Sequence, residues 1–222
     1  MKKYLMLAAG LCAVFSLQAQ GPDWANFGRY REANATAPRH AAAVFMGNSI
    51  TDGWAAQRPA FFVDNNYIGR GIGGQVTSQM LVRFRADVLD LEPRAVVILA
   101  GTNDIAGNNG YIAVDDIFGN IVSMAELARA HKIKVILCSV LPVYQYPWSP
   151  DVDAVRLIAE LNGKIEAYAH AHKMPYVDFY HAMKDERFGL PADLAGDGVH
   201  PTAEGYRIME EMLKPVIDRK GR

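Results

Sequence analysis

The chain has 222 residues, half of them hydrophobic, with 23 lysines and arginines set against 24 aspartates and glutamates. That globular balance excludes a disordered, collagen-like or coiled-coil chain. A net charge of -1 with no Lys/Arg block also argues against a nucleic-acid binder, which needs a concentrated basic surface to neutralise phosphates.

Residues 1–20 read MKKYLMLAAGLCAVFSLQAQ. Two lysines, a short apolar run and an exit through the small Ala19 predict a secretory signal over residues 1–19. The run is shorter than the roughly 20 apolar residues that span a bilayer, so no integral membrane segment is expected in the mature chain. Cys12 follows Leu11 instead of the small residue that a lipid-attachment signal carries, which argues against lipidation. The protein is therefore expected to be exported, to the periplasm or beyond. Cleavage would remove Cys12 and leave Cys138 without a disulfide partner, which a core of this size does not need. Residues 20–40 form a polar, Ala-rich arm with Trp24, Phe27 and Tyr30, expected to pack on one domain over residues 41–222.

Within that domain, apolar β-branched runs predict strands at residues 42–46, 67–68, 95–100, 135–140 and 175–178. They are nearly all-apolar instead of alternating, as parallel strands covered on both faces are. Cys138 lies in one of them and reads as a small hydrophobe. Helical spacing marks residues 78–91, through Met80, Leu81, Phe84, Val88 and Leu91, and then 115–131, 152–172 and 202–218. Strands alternating with helices imply an α/β fold whose parallel sheet is wrapped on both sides. No repeat or linker divides it.

In such sheets ligands sit beyond the carboxyl ends of the strands, so the segments that follow each strand carry the functional information. These are GNSITDG at 47–53, GRGIGG at 69–74, GTND at 101–104 and DGVHP at 197–201. Ser49 reads either as a helix cap or as a nucleophile on a tight turn. Thr51 stands where the G-x-S-x-G elbow of α/β-hydrolases has its second glycine, which disfavours that fold. Gly69, Gly71 and Gly74 fit the dinucleotide fingerprint in spacing. Its acid, Asp90, falls in or at the end of a helix instead of at the end of the next strand, so no nucleotide is expected. The glycines then read as a loop with an accessible backbone N–H, or as a plain turn.

Asn103 is either a loop cap or an amide donor aimed into the cleft. Asp197 and His200 stand three apart, close enough for a carboxylate to hold one imidazole nitrogen. Of the other histidines, His170 and His172 do not share a helix face, and His40, His131 and His181 have no matching partner in sequence. No zinc-ligand spacing and no phosphate loop occurs, so neither metal nor cofactor is expected. After the fourth strand, Tyr144, Tyr146 and Trp148 could stack on a sugar or simply pack their loop.

Taken together and in this order, the four segments resemble the blocks of the SGNH hydrolases, the GDSL-type lipase/esterase superfamily. The likeness runs from about Ala42 to Tyr206. It departs at Asn48, where many members carry Asp, and at Gln75-Val76, where Asp-Thr is common. The resemblance implies a flavodoxin-like three-layer α/β/α sandwich with a central, mainly parallel five-stranded sheet. It implies metal-free ester hydrolysis by Ser49, with His200 as base and Asp197 orienting it. The Ser49 and Gly74 N–H groups and the Asn103 side chain would form the oxyanion hole. Few residues remain for a lid or a long acyl tunnel, so the expected substrate is a small-molecule or glycan ester, with acetyl or another short acyl group removed from carbohydrate. Lysophospholipase or general carboxylesterase activity is the rival within the class. A non-catalytic glycan-binding module that keeps the fold is the rival outside it.

Overall fold

Five parallel strands make the centre of the molecule: β1 (Ala43–Gly47), β2 (Tyr67–Gly71), β3 (Ala95–Leu99), β4 (Lys134–Cys138) and β5 (Tyr176–Val177). They are seen in a computed structural model that describes residues 23–219, and the expected signal lies outside that range. Their order is β2-β1-β3-β4-β5, the flavodoxin-like arrangement whose switch point falls between β1 and β3. Val44 lies opposite Ile68 on one side and Val96 on the other, which fixes the register of the first three strands.

Nine helices cover the sheet among the described residues: α1 (Arg31–Thr36), α2 (Ser49–Gln57), α3 (Pro59–Asp64), α4 (Thr77–Asp87), α5 (Thr102–Ile105), α6 (Val114–Ala130), α7 (Ala154–Ala171), α8 (Phe179–Met183) and α9 (Ala203–Asp218). Alternate strand residues feed two cores, as the two-residue period of a strand dictates. Val44, Met46, Val96, Ile98, Val135 and Leu137 pack with α4, α6 and α7. Phe45, Val97, Leu99, Ile136 and Cys138 pack with α2 and α9 on the opposite face. The result is a three-layer α/β/α sandwich. Cys138 is buried, and burial pushes its thiol up, as suits a small hydrophobe.

Several expected boundaries move. β2 runs through Gly71, so Gly69 and Gly71 are strand residues and not loop. The cause is the close approach of α2. A Cβ on Gly71 would lie 2.2 Å from the Asp52 nitrogen, and one on Gly69 would lie 2.8 Å from the Ala55 Cβ. The helix expected over 78–91 stops at Asp87, and a short 3₁₀ turn, Leu89–Leu91, completes it. The arm contains a 3₁₀ turn, Phe27–Tyr30, and the short α1. Its Trp24 and Phe27 stay exposed while Tyr30 is half-buried. No described helix is long and apolar enough to cross a membrane.

Candidate active site

The site begins where β1 turns into α2. Asn48 is buried, and its side-chain oxygen accepts the Ile50 N–H at 3.0 Å, so Asn48 caps α2 and not Ser49. Gly47 allows the helix to start this close to the sheet: a Cβ there would fall 2.0 Å from the Thr51 hydroxyl oxygen and 2.9 Å from the Leu99 carbonyl. Relieved of capping, the Ser49 Oγ lies 2.9 Å from Nε2 of His200.

His200 is held from its other side. Its Nδ1 is 2.7 Å from Asp197 Oδ2, while Asp197 Oδ1 accepts the backbone N–H groups of Val199 and His200 at 2.9 and 2.8 Å. Burial acts to raise the Asp197 carboxyl, but these bonds outweigh it and hold the group below its ordinary range. With a proton on Nδ1, His200 donates to Asp197 and leaves Nε2 to accept from Ser49.

A second pair has the same local form. Asp178 Oδ1 accepts the His181 N–H at 3.0 Å, and Oδ2 is 2.7 Å from His181 Nδ1. His181 therefore has a partner, against the expectation of none, at the same three-residue spacing as Asp197 and His200, and Asp178 caps α8. His40 likewise contacts Glu92, at 4.0 Å between Nε2 and Oε2. What sets Asp197–His200 apart is tertiary. The Tyr206 hydroxyl donates to the Ile50 carbonyl at 2.8 Å. Its ring stacks on Trp54 with centroids 5.6 Å apart. Glu210 accepts from the Trp54 indole at 3.1 Å and from Arg58 at 2.9 and 2.8 Å. These contacts clamp α9, which follows His200, onto α2, which starts with Ser49.

The glycine loop lies against the serine: a Cβ on Gly73 would come 4.0 Å from the Ser49 Cβ. Gly74 has φ +76, a conformation that favours glycine, and both glycines are exposed. Asn103 is buried on α5 and donates one amide proton to the Gln75 carbonyl at 3.0 Å, which leaves a second. Its neighbour Asp104, the last residue of GTND, has no role assigned from the sequence. Both Asp104 carboxylate oxygens accept the Thr77 N–H at 3.0 Å, and Oδ1 accepts the Thr77 hydroxyl at 2.6 Å, which caps α4. Burial pushes the Asp104 carboxyl up to about 6 despite those bonds. An acid directly after Asn103 at a strand end was the signal available.

The aromatic loop divides. Trp148 is half-exposed, donates its indole N–H to Asn108 at 2.8 Å, and sits with its ring 6.4 Å from that of His200. Tyr144 is exposed under the Arg187 guanidinium, 5.6 Å from its ring centroid. Tyr146 is fully buried, with its hydroxyl 2.8 Å from Thr102 Oγ1, and so does not offer a stacking face to a ligand. Side chains two apart in extended backbone share a side, and their neighbours take the other. The bends around Pro147 break that pattern and turn Tyr146 into the core while Tyr144 and Trp148 stay out.

Residues 45–208 match the GDSL-like lipase/acylhydrolase family, a span that holds all four segments. The chain belongs to this family. It is thereby an ester hydrolase by class. A putative acylhydrolase from Bacteroides fragilis of known structure is similar, at 50% identity and TM-score 0.87 over 89% of this chain and 98% of that one. Esterase TesA of Pseudomonas aeruginosa is 27% identical over 78% of this chain and 83% of its own length. The uncharacterized lipoprotein YqeF of Bacillus subtilis is 36% identical, but the alignment spans 35% of this chain and only 33% of that protein.

Proposed function

We propose that this GDSL-family protein is an exported serine esterase that removes acetyl or other short acyl groups from carbohydrates through an acyl-enzyme. The observation that carries the proposal is the continuous chain Ser49–His200–Asp197, with contacts of 2.9 and 2.7 Å. A serine hydroxyl is a weak nucleophile at neutral pH and needs an adjacent base. Nε2 of His200 takes the Ser49 proton as Oγ attacks the ester carbonyl. The imidazolium that forms is stabilised by the Asp197 carboxylate. Negative charge gathers on the carbonyl oxygen, which the Ser49 and Gly74 N–H groups and the second Asn103 amide proton are suited to meet. His200 then protonates the departing alcohol, and water repeats the sequence on the acyl-enzyme.

Trp148, half-exposed with its ring 6.4 Å from that of His200, supports the carbohydrate part of the reading, because it offers an apolar face on which a sugar can stack. One observation favours a rival reading, general carboxylesterase or lysophospholipase activity. A cavity of about 430 Å³ adjoins Asp104, beside Asn103; Ile105, Ile112, Val114, Val152 and Leu157 give it an apolar wall on which a longer acyl chain could lie, while Ser149, Asp153 and Arg156 line it as well.

Comparing acetylated oligosaccharides with acetyl to decanoyl aryl esters, with Ser49→Ala as control, separates the two. Highest turnover on acetyl groups, lost in Ser49→Ala, is expected. Turnover that climbs to the decanoyl ester supports the rival, and an active Ser49→Ala variant removes the serine mechanism.

A further inference from the structure

Gln75, the residue after Gly74, is 3% exposed and has every polar group engaged. Its N–H donates to the Ile72 carbonyl at 3.3 Å, and its carbonyl accepts from Asn103 at 3.0 Å. Its side-chain oxygen accepts the Arg83 Nε–H at 2.6 Å, and its side-chain nitrogen donates to the carbonyl of Ala25, in the N-terminal arm, at 2.8 Å.

Arg83 is itself fully buried. It donates to Asp87 at 2.7 Å, to the Gly47 carbonyl at 3.0 Å and to the Arg70 carbonyl at 2.9 Å. One guanidinium thus ties together the end of β1, just before Asn48 and Ser49, the edge strand β2 and Gln75.

The arm grips the same stretch elsewhere. Gln79 donates to the Trp24 carbonyl at 2.6 Å, and the Tyr30 hydroxyl donates to the Gly71 carbonyl. Asn34 accepts from Arg70 at 2.8 Å, and the Arg70 guanidinium lies 4.7 Å from the centre of the Tyr30 ring. These anchors bracket Gly73 and Gly74, which are exposed; a Cβ on Gly74 would meet nothing within 4 Å. Such a pair loses more conformational freedom on ordering than any other residues would, and with no side chains of its own it depends on the residues on either side to hold it. Donors to a developing oxyanion accelerate a reaction only when they are set in place beforehand.

We propose that the N-terminal arm is a working part of the site. It holds Gln75 against Arg83 and so presets the Gly74 N–H and the Asn103 amide, which makes Gln75 and Arg83 positioning residues. This rests on the serine-esterase reading. An amide is the group the position needs, because it accepts from Arg83 and donates to Ala25 at once. A carboxylate accepts from Arg83 but turns an oxygen toward the Ala25 carbonyl.

The test uses the full chain with Gln75→Glu, and Tyr30→Phe as a second variant that removes one arm contact, at the Gly71 carbonyl, without altering Gly73 or Gly74. Titration with a fluorophosphonate counts active sites, so the rate per site is separated from the folded fraction. Gln75→Glu is expected to titrate fully, with kcat and the labelling rate lowered about tenfold to a hundredfold and KM nearly unchanged. Tyr30→Phe shifts both rates the same way by less. Combining Gln75→Glu with Asn103→Ala is expected to cost less than the product of the two losses, since both act on one unit. Unchanged per-site rates in both variants, or a loss confined to the number of titratable sites, would overturn the proposal. Labelling of Ser49→Ala at the wild-type rate would instead overturn the esterase reading beneath it.

Discussion

The Tyr206 hydroxyl donates to the carbonyl of Ile50, one residue past the serine, across 156 residues of chain. With Glu210 it is how α9 brings His200 to Ser49. Tyr206→Phe is expected to cost about 1 kcal/mol, the net value of one hydrogen bond. Glu210→Ala leaves the buried Trp54 indole without an acceptor and is expected to cost about 1–3 kcal/mol. Urea melts and kcat measured on the same preparations check both. Full stability with full turnover in Glu210→Ala would show that the clamp is dispensable.

Asn103→Ala is expected to lower kcat by about 10²–10³, the usual effect of losing one oxyanion donor. It also strips the Gln75 carbonyl of its donor. A folded variant with unchanged kcat would reduce Asn103 to a loop fastener.

Acid should switch the enzyme off through His200, which acts as a base only when uncharged. Asp197 is held below the ordinary carboxylate range, so it keeps its charge further into acid than an unperturbed aspartate does; kcat/KM measured against pH is expected to show an acid limb, and a flat profile would contradict a base in the mechanism. In stability the exposed Asp197 and the buried Asp104 have opposite signs. The depressed Asp197 contributes stability above 3.8, its ordinary value, that is lost as pH falls through its folded-state value. Asp104, raised from 3.8 to about 6, binds its proton more readily in the folded state, so its term improves as pH falls across that window. Melting temperatures of wild type and Asp104→Asn across this range should differ in slope, with the wild type gaining relative to the variant as acid is added. Parallel curves would contradict that assignment.

Trp148→Ala is expected to raise KM for an acetylated oligosaccharide and leave kcat on a small aryl acetate near wild type. Tyr146→Phe should cost about 1 kcal/mol through its Thr102 bond and leave both KM values alone. Steady-state kinetics on the two substrates check the contrast, which reversed effects would undo.

Much of this was legible in the sequence because it is local. Short, β-branched all-apolar runs such as 95–100 fit parallel strands with both faces covered, and the polar segments that follow them fall at one edge by topology. The rest was hidden because it depends on neighbours distant in the chain. Asp178–His181 and Asp197–His200 are equivalent as sequence, and Tyr206 and Glu210 decide which one meets a serine. Gly69 and Gly71 read as loop because the helix that excludes their side chains belongs to another segment. Tyr146 read as a candidate for binding because Thr102, which takes its hydroxyl, lies 44 residues away. The arm's aromatics suggested packing, but its contacts around the glycines were hidden, since two are made by the backbone carbonyls of Trp24 and Ala25 and the others join Tyr30 and Asn34 to residues 41 and 36 positions away.

The most direct measurement is the site of fluorophosphonate attachment, read by peptide mass mapping of the intact protein after labelling. One adduct on the peptide that carries Ser49 is expected, absent from Ser49→Ala and formed far more slowly in His200→Ala. A chain that takes no label, or takes it at another serine at the same rate in both variants, would contradict the account.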